Sequence, residues 1–284
     1  MAIKIGTSIG MLHPRHFVEV AQAADQLGYE SLWMPEHLVF PERMAGSPFS
    51  AEEGDAAHPP VPPQTPLFDA FAYLAYLAGQ TRQIRLGTNV YLLGLRHPFI
   101  AARAIQTLDI VSGGRAEVGV GAGWLRSEWQ SVGFDPASRG RRLDEALSVC
   151  RRLWTEPVVS HAGEFYTFDP VMFEPKPIQR PAPPVHIGGE SAAALRRVAS
   201  LGDGWFGIGH TLESIQPVLK RLREVVRAEG RDLDSLEIIT AATVQSSGEL
   251  RCWEDLGVTR LVVTPWQRGR DAVEGLQRFA DKLL

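Results

Sequence analysis

The chain has 284 residues, of which 44% are apolar and 22% are charged, and this composition is ordinary for a globular protein. Its net charge of -4 argues against nucleic acid or an anionic membrane surface as a general partner. It has only two cysteines, Cys150 and Cys252, which excludes a disulfide framework and a cysteine-based metal site.

The chain starts directly with a strand pattern, MAIKIGTSIG, and no cationic-apolar leader precedes this pattern. No apolar run reaches the roughly 18 residues that suggest a membrane span. We therefore expect a cytoplasmic protein without a membrane partner.

Short apolar runs typical of buried parallel strands alternate with longer amphipathic runs from end to end. The predicted strands are Ile3–Thr7, Ser31–Met34, Ile84–Tyr91, Ala116–Val120, Pro184–Ile187, Gly204–Ile208, Leu236–Thr243 and Leu261–Thr264. The predicted helices are Pro14–Leu27, Pro66–Gln80, Pro98–Val111, Arg139–Leu153, Ser191–Leu201, Leu212–Ala228, Leu250–Leu256 and Arg270–Leu283. Eight such units in this length predict an α/β fold with one (β/α)8 TIM barrel domain over residues 1–284.

Two insertions interrupt this alternation. The stretch Phe40–Thr65 has six prolines and is predicted to be a long loop after the second strand, on the side where barrel active sites lie. The stretch Thr155–Pro183 is predicted to form a short hairpin and an extended arm before the fifth strand. Because this second insertion follows a helix, we expect it to begin at the opposite end of the barrel and to be structural.

The second strand ends in Pro35, Glu36 and His37, which places a carboxylate and an imidazole where barrel enzymes carry their chemistry. No lysine lies at a strand end for Schiff-base catalysis, and Glu190 is a weak second carboxylate for glycoside hydrolysis. No converging ligand set indicates a catalytic metal. From this pattern alone, His37 is either an acid/base group or an ordinary loop histidine.

Glycine-rich turns follow the fourth and fifth strands. The first is VGVGAGW over residues 118–124, and the second is Gly188-Gly189 ahead of a helix that begins near Ser191. Glycines let the backbone approach a ligand, and free N–H groups at a helix start can hold a phosphate. A plain tight turn with Ser191 as the N-cap explains the second stretch equally well. Small and aromatic strand ends suit a planar redox cofactor.

Several motifs resemble the bacterial luciferase-like monooxygenase superfamily in chain order. They are SLWMPEHL, IRLGTNVYLLGLRHPFIAARAIQTLDIVSGGR, VGVGAGWLRSEWQSVGF, RGRRLDEAL, PVHIGGESAAALRRVASLGDGWF and LGVTRLVVTPW. Within the superfamily, the set is most similar to oxidoreductases that use the deazaflavin coenzyme F420. The resemblance covers nearly the whole chain and implies a barrel with the cofactor at the C-terminal ends of the strands.

The resemblance also implies roles for particular residues. His37 matches a proton donor or acceptor near the reactive face of the ring, and Glu36 matches a residue that contacts the cofactor or orients the imidazole. The third strand matches the position of a non-proline cis peptide behind the ring, here Asn89–Val90. The other cofactor-binding positions implied are Ala122, Gly123, Ser127, Gly188, Gly189 and Ser191.

The substrate expectation follows from one departure. The sugar-phosphate dehydrogenases of this family place a catalytic glutamate directly after the glycine of the fourth strand, and this chain has Trp124 there. The resemblance therefore implies a small apolar or conjugated organic substrate, with Trp124, Tyr91 and Trp266 in the pocket wall.

Three functions remain open from the sequence: an F420-dependent oxidoreductase, an FMN-dependent monooxygenase that uses oxygen, and a flavin-binding protein without turnover. A homodimer is also predicted, because the helices over Pro66–Gln80 and Pro98–Val111 carry more apolar residues than one packing face requires. The family commonly pairs through this region.

Overall fold

The structure is a computed structural model that describes residues 2–44 and 60–284. Its strands are β1 (Lys4–Ser8), β2 (Ser31–Met34), β3 (Arg85–Thr88), β4 (Ala116–Val120), β5 (Val159–Ala162), β6 (Thr167–Val171), β7 (Val185–Gly188), β8 (Gly204–Gly207), β9 (Glu237–Ala241) and β10 (Arg260–Val263). Eight of them form a closed parallel barrel in the order β1-β10-β9-β8-β7-β4-β3-β2. The predicted (β/α)8 barrel and all eight of its predicted strands are confirmed.

The helices of the described residues surround this barrel. They are α1 (Phe17–Gln26), α2 (Ala70–Ala78), α3 (Pro98–Val111), α4 (Arg126–Ser131), α5 (Arg139–Thr155), α6 (Ala192–Leu201), α7 (Ile215–Ala228), α8 (Ser247–Asp255) and α9 (Ala272–Leu283). The short helix α4 was not predicted. Helix α2 begins later than predicted because Asp69 accepts a hydrogen bond from the Ala72 N–H and caps it there. Among these helices, none combines the length and the apolar character that crossing a membrane requires.

The insertion before the fifth barrel strand contains the predicted hairpin, formed by antiparallel β5 and β6. Glu145 on α5 holds its tip by accepting hydrogen bonds from the Phe165 and Tyr166 N–H groups. The Tyr166 hydroxyl then donates to the Arg96 carbonyl at 3.3 Å. The hairpin thus follows the C-terminal end of α5, and its tip contacts the segment after β3, at the C-terminal end of the barrel. We call this end of the barrel the rim. Residues 45–59, most of the other predicted insertion, lie outside the described residues.

Trp33 packs in the middle of the barrel together with Phe206, Ile239 and Val262. Trp33 on β2 is fully buried and lies edge-on to Phe206, with ring centroids 4.9 Å apart. Gly87 on the neighbouring strand leaves the space for this indole, because a Cβ atom there would lie 2.5 Å from the Trp33 ring. The barrel interior is therefore a packed core, as expected of this fold.

A charged layer closes the N-terminal end of the barrel. Arg260 is almost fully buried, with its Nη2 atom 3.0 Å from Glu237 Oε2 and 3.4 Å from Glu117 Oε1. Glu117 also pairs with His186 and Arg85. Burial acts to raise the pKa of Glu117, but His186 and Arg260 outweigh it and hold that pKa well below the usual range.

The same layer brings together three groups that could serve as metal ligands. Atoms of Glu117, His186 and Glu237 lie within 4.8 Å of one another. The guanidinium of Arg260 contacts two of these side chains and supplies the positive charge that a cation would bring. We therefore interpret the layer as a buried ion-pair network that belongs to the barrel scaffold.

We expect Arg260→Met to lower the free energy of unfolding by about 3–5 kcal/mol, because it removes one cationic partner from the buried carboxylate of Glu117 and from the partly buried carboxylate of Glu237. Arg278→Met is the control, since Arg278 pairs with Glu274 on the exposed surface of α9 and such a pair contributes only about 0.3–0.5 kcal/mol. Urea unfolding of both variants measures the difference. Equal losses would contradict the view that the buried layer depends on this guanidinium.

Candidate active site

All the predicted site residues except Trp266, which follows β10, lie at the C-terminal ends of four strands that are consecutive around the barrel, β2, β3, β4 and β7. Along the sequence these positions lie up to 155 residues apart, from Glu36 to Ser191. They come close together in space because their strands are side by side in the closed barrel. The residues that follow these strands are Glu36, His37, Asn89, Val90, Ala122, Gly123, Trp124, Ser127, Gly189 and Ser191, and Gly188 is the last residue of β7.

His37 forms a hydrogen bond that was not foreseen from the sequence. Its Nδ1 atom lies 2.8 Å from Oε2 of Glu128, whose side chain is fully buried. The imidazole itself is 17% exposed. Its ring lies edge-on to Trp124, with centroids 5.7 Å apart, and 4.7 Å from the ring of Phe40. The imidazole is thus held through Nδ1 and remains partly exposed.

Glu128 is the site residue that sequence reasoning missed. It lies on α4, whose six residues are too few to show a helical apolar period. The available signal was the pattern LRSEW, in which Leu125 and Trp129 are both buried and Glu128 lies between them. Trp129 fixes this helix by donating from its indole N–H to the Ala122 carbonyl at 3.1 Å.

Glu36 points away from His37. Its carboxylate accepts hydrogen bonds from Arg96, with Oε1 2.6 Å from Nη2, and from the Leu92 N–H at 2.9 Å. Burial raises the pKa of Glu36, and the Arg96 guanidinium offsets part of that rise. The expectation that Glu36 orients the imidazole is therefore corrected, since the carboxylate bound to His37 belongs to Glu128.

The Asn89–Val90 peptide is cis, as the resemblance implied. The Val90 side chain reaches over glycines of the two next strands. A Cβ atom would lie 2.6 Å from Val90 Cγ2 if added at Gly121, and 2.9 Å from Cγ1 if added at Gly188. The absence of side chains at Gly121 and Gly188 therefore leaves room for the Val90 side chain in the turn after β3.

Two oxygen atoms at this rim are suited to a polar ligand. The Asn89 Oδ1 and Ser127 Oγ atoms are buried and have no hydrogen-bond partner among residues 2–44 and 60–284. Buried polar atoms normally have a partner, so both fit contacts to a bound molecule. Gly189 has φ +108°, and Ser191 caps α6 by accepting from the Ala194 N–H. The start of α6 faces the end of β7 and fits an anionic group.

The three residues expected in the substrate pocket occupy different places. Trp124 lies beside His37. Tyr91 is only 1% exposed, packs 4.7 Å from the Phe71 ring and lies under Arg96, and burial raises its pKa. Trp266 is half-buried against α9. Tyr91 thus offers no surface to a substrate, and we exclude it from the pocket.

Comparison with known proteins gives a consistent family assignment. A family model described as luciferase-like monooxygenase matches residues 3–273. An uncharacterised protein of Mycobacterium tuberculosis is 34% identical over 267 residues, which cover 93% of this chain and 92% of that protein. The FMNH(2)-dependent dimethylsulfone monooxygenase of Pseudomonas putida is 33% identical over 136 residues, which cover 47% of this chain and 38% of that protein.

A solved structure with a similar fold is that of an F420-dependent secondary alcohol dehydrogenase in complex with an F420-acetone adduct. It superposes with a TM-score of 0.77 at 17% sequence identity, and the match covers 100% of this chain and 98% of that chain. At this level of identity the likeness supports the fold alone.

We expect Gly121→Ala to lower the free energy of unfolding by about 1–3 kcal/mol, because the added methyl group overpacks against Val90. Gly209→Ala is the matched control at another strand end, since a Cβ atom there meets nothing within 4 Å. Urea unfolding of the two variants measures both effects. The account of this turn is wrong if Gly121→Ala is as stable as the control.

Proposed function

The chain belongs to the luciferase-like monooxygenase family, and on that basis we propose that it is an oxidoreductase that uses coenzyme F420. In this proposal a hydride passes between the deazaflavin and a small, apolar organic substrate, while His37 gives or takes the accompanying proton. The observation that carries the proposal is the His37–Glu128 pair at the rim of the barrel. A protein that only binds a flavin has no need of a held and accessible imidazole.

His37 is the proton carrier in this proposal because of its accessibility. The imidazole is 17% exposed, whereas the side chains of Glu36 and Glu128 are 1% and 0% exposed. Histidine is the side chain that most often gives or takes a proton in catalysis. His37 is therefore the group that reaches the substrate, with Glu128 bound to its Nδ1 atom.

The remaining rim residues would hold the cofactor. Backbone N–H groups at the start of α6, with Gly188, Gly189 and Ser191, suit the phosphate. Asn89 and Ser127 each present a buried oxygen for a polar edge of the ring system or its side chain. Val90, Ala122 and Gly123 would contact it through backbone and apolar surface. When bound, the deazaflavin supplies a ring carbon that accepts or gives a hydride.

Trp124 would form the wall of the substrate pocket next to His37. An indole in edge-on contact with the imidazole gives that side of the rim an apolar surface. No glutamate stands at this position, so the pocket favours an apolar or conjugated substrate over a sugar phosphate. Trp266 remains part of the proposed pocket from its strand-end position alone.

The second candidate function is an FMN-dependent monooxygenase. The observation that favours it is the 33% identity to the FMNH(2)-dependent dimethylsulfone monooxygenase over 136 residues. Both functions use the same barrel rim and differ in the cofactor.

Titration of the purified protein with oxidised F420 and with FMN, followed by fluorescence, separates the two functions. We expect F420 to bind more tightly than FMN. Tighter binding of FMN, with oxygen consumption when reduced FMN is supplied, would favour the monooxygenase. No binding of either cofactor would reject both functions.

We expect His37→Ala to bind the cofactor almost as well as the wild type but to turn over about 10²–10⁴ times more slowly, the usual contribution of a positioned acid or base. His161→Ala is the control, because His161 on β5 is also a histidine bonded to a glutamate, Glu145 of α5, and is not among the proposed site residues. Single-turnover oxidation or reduction of bound cofactor measures the effect. Equal single-turnover rates for His37→Ala and the wild type would remove His37 from the chemistry.

The proposal also includes a homodimer. Phe68, next to α2, Tyr76 on α2 and Ile100 on α3 are 39%, 54% and 63% exposed, and together they leave apolar surface on neighbouring helices. Light scattering at micromolar concentration checks this, and a monomer mass would reject it.

A further inference from the structure

We propose that Glu128 is a positioning residue that keeps the proton of neutral His37 on Nδ1, so that Nε2 is the nitrogen free to exchange a proton with the substrate. This inference rests on the proposed function of His37. It adds a residue from α4 to the proton-transfer machinery and specifies which ring nitrogen does the chemistry.

The two oxygens of Glu128 have separate partners. Oε2 lies 2.8 Å from His37 Nδ1. Oε1 accepts the Leu38 N–H at 2.6 Å and the Val39 N–H at 3.3 Å. All three donors belong to consecutive residues after β2. One carboxylate therefore fixes the backbone of this segment with one oxygen and the imidazole with the other.

The surroundings of Glu128 suit a carboxylate that accepts from Nδ1–H. Its side chain is fully buried, and the Leu38 and Val39 N–H groups both donate to it. Within the described residues, His37 is the only side chain that forms an ion pair with it. A buried carboxylate accepts hydrogen bonds and donates none when ionised, so the proton of this bond belongs to the imidazole.

The other ring nitrogen remains free. Among residues 2–44 and 60–284, no hydrogen bond is made to His37 Nε2, and the side chain remains 17% exposed. The nitrogen that reacts at a histidine is set by the hydrogen bond that the other nitrogen makes. The geometry thus assigns Nδ1 to Glu128 and Nε2 to the substrate.

A glutamine at position 128 separates positioning from simple anchoring. Its amide oxygen can still accept from the Leu38 N–H, so the segment after β2 keeps its anchor. Its NH2 group donates where the carboxylate accepted, which forces Nδ1 to become the acceptor and moves the proton to Nε2. Replacing an orienting carboxylate by its amide imposes the wrong tautomer on a catalytic histidine and lowers kcat by about 10⁴.

The experiment uses the full-length protein labelled with ¹⁵N-histidine, in long-range proton–nitrogen correlation spectra at about pH 8, where an ordinary imidazole is neutral. The protein has 8 histidines, and the spectrum of His37→Ala identifies the His37 signals. We expect the wild type to carry the proton on Nδ1 and Glu128→Gln to carry it on Nε2. This readout needs neither cofactor nor substrate.

The kinetic arm compares single-turnover rates. We expect Glu128→Gln to lose about 10²–10⁴ in rate with nearly unchanged cofactor affinity, and Glu128→Asp, which keeps the acceptor charge, to recover part of the loss. Glu145→Gln is the matched control, because Glu145 holds His161 Nε2 at 3.0 Å and accepts two backbone N–H groups in the same manner. It should change the His161 signals and leave the rate unchanged.

Each outcome decides between the two proposals. A wild-type His37 with its proton on Nε2, or an unchanged tautomer in Glu128→Gln, overturns the inference, and the wild-type spectrum decides this even if the variant fails to fold. A normal rate for Glu128→Gln together with a slow His37→Ala also overturns it and leaves the proposed function intact. Normal rates for both variants reject the role of His37 itself.

Discussion

The arrangement of the rim depends on two buried carboxylates that follow β2 and β4 and point in different directions. Glu36 binds Arg96 and the Leu92 N–H, which ties the end of β2 to the segment after β3. Glu128 binds His37 and the Leu38 N–H, which ties the same segment to the helix after β4. His37 therefore sits between two attachments, one to the segment after β3 and one to the helix after β4. An imidazole fixed in this way loses little conformational freedom when a ligand arrives, which is the condition for efficient proton transfer.

The sequence predicted the fold well because the barrel is encoded in local patterns. Each of the eight strands was readable as a short apolar run, and Pro98 with the apolar repeat after it located α3 at its observed bounds. The cis peptide at Asn89–Val90 was found as well, but only through family resemblance, since GTNVYLL alone reads as an ordinary strand. Apolar runs of this kind indicate buried residues, and the residues of the barrel strands are mostly buried.

The hydrogen-bond partners of the site side chains were harder to predict from the sequence, for a physical reason. Glu36 and His37 are adjacent in sequence, but successive residues leaving a strand point to different sides, and Glu36 turned out to face Arg96. The partner of His37 lies 91 residues away on a helix of six residues. Tyr91 was expected in the pocket from its place at a strand end, yet it is buried against Phe71 of α2. Which side a loop residue faces is fixed by tertiary contacts that no local period records.

The charged layer around Arg260 affects how a ligand can reach the rim. Trp33 and its neighbours fill the barrel interior, and the ion pairs of Arg260 close the N-terminal end of the barrel. Because side chains fill the barrel interior, no passage runs along the barrel axis to the rim in the described part of the chain. A ligand of the rim therefore approaches from the solvent beyond the C-terminal ends of the strands.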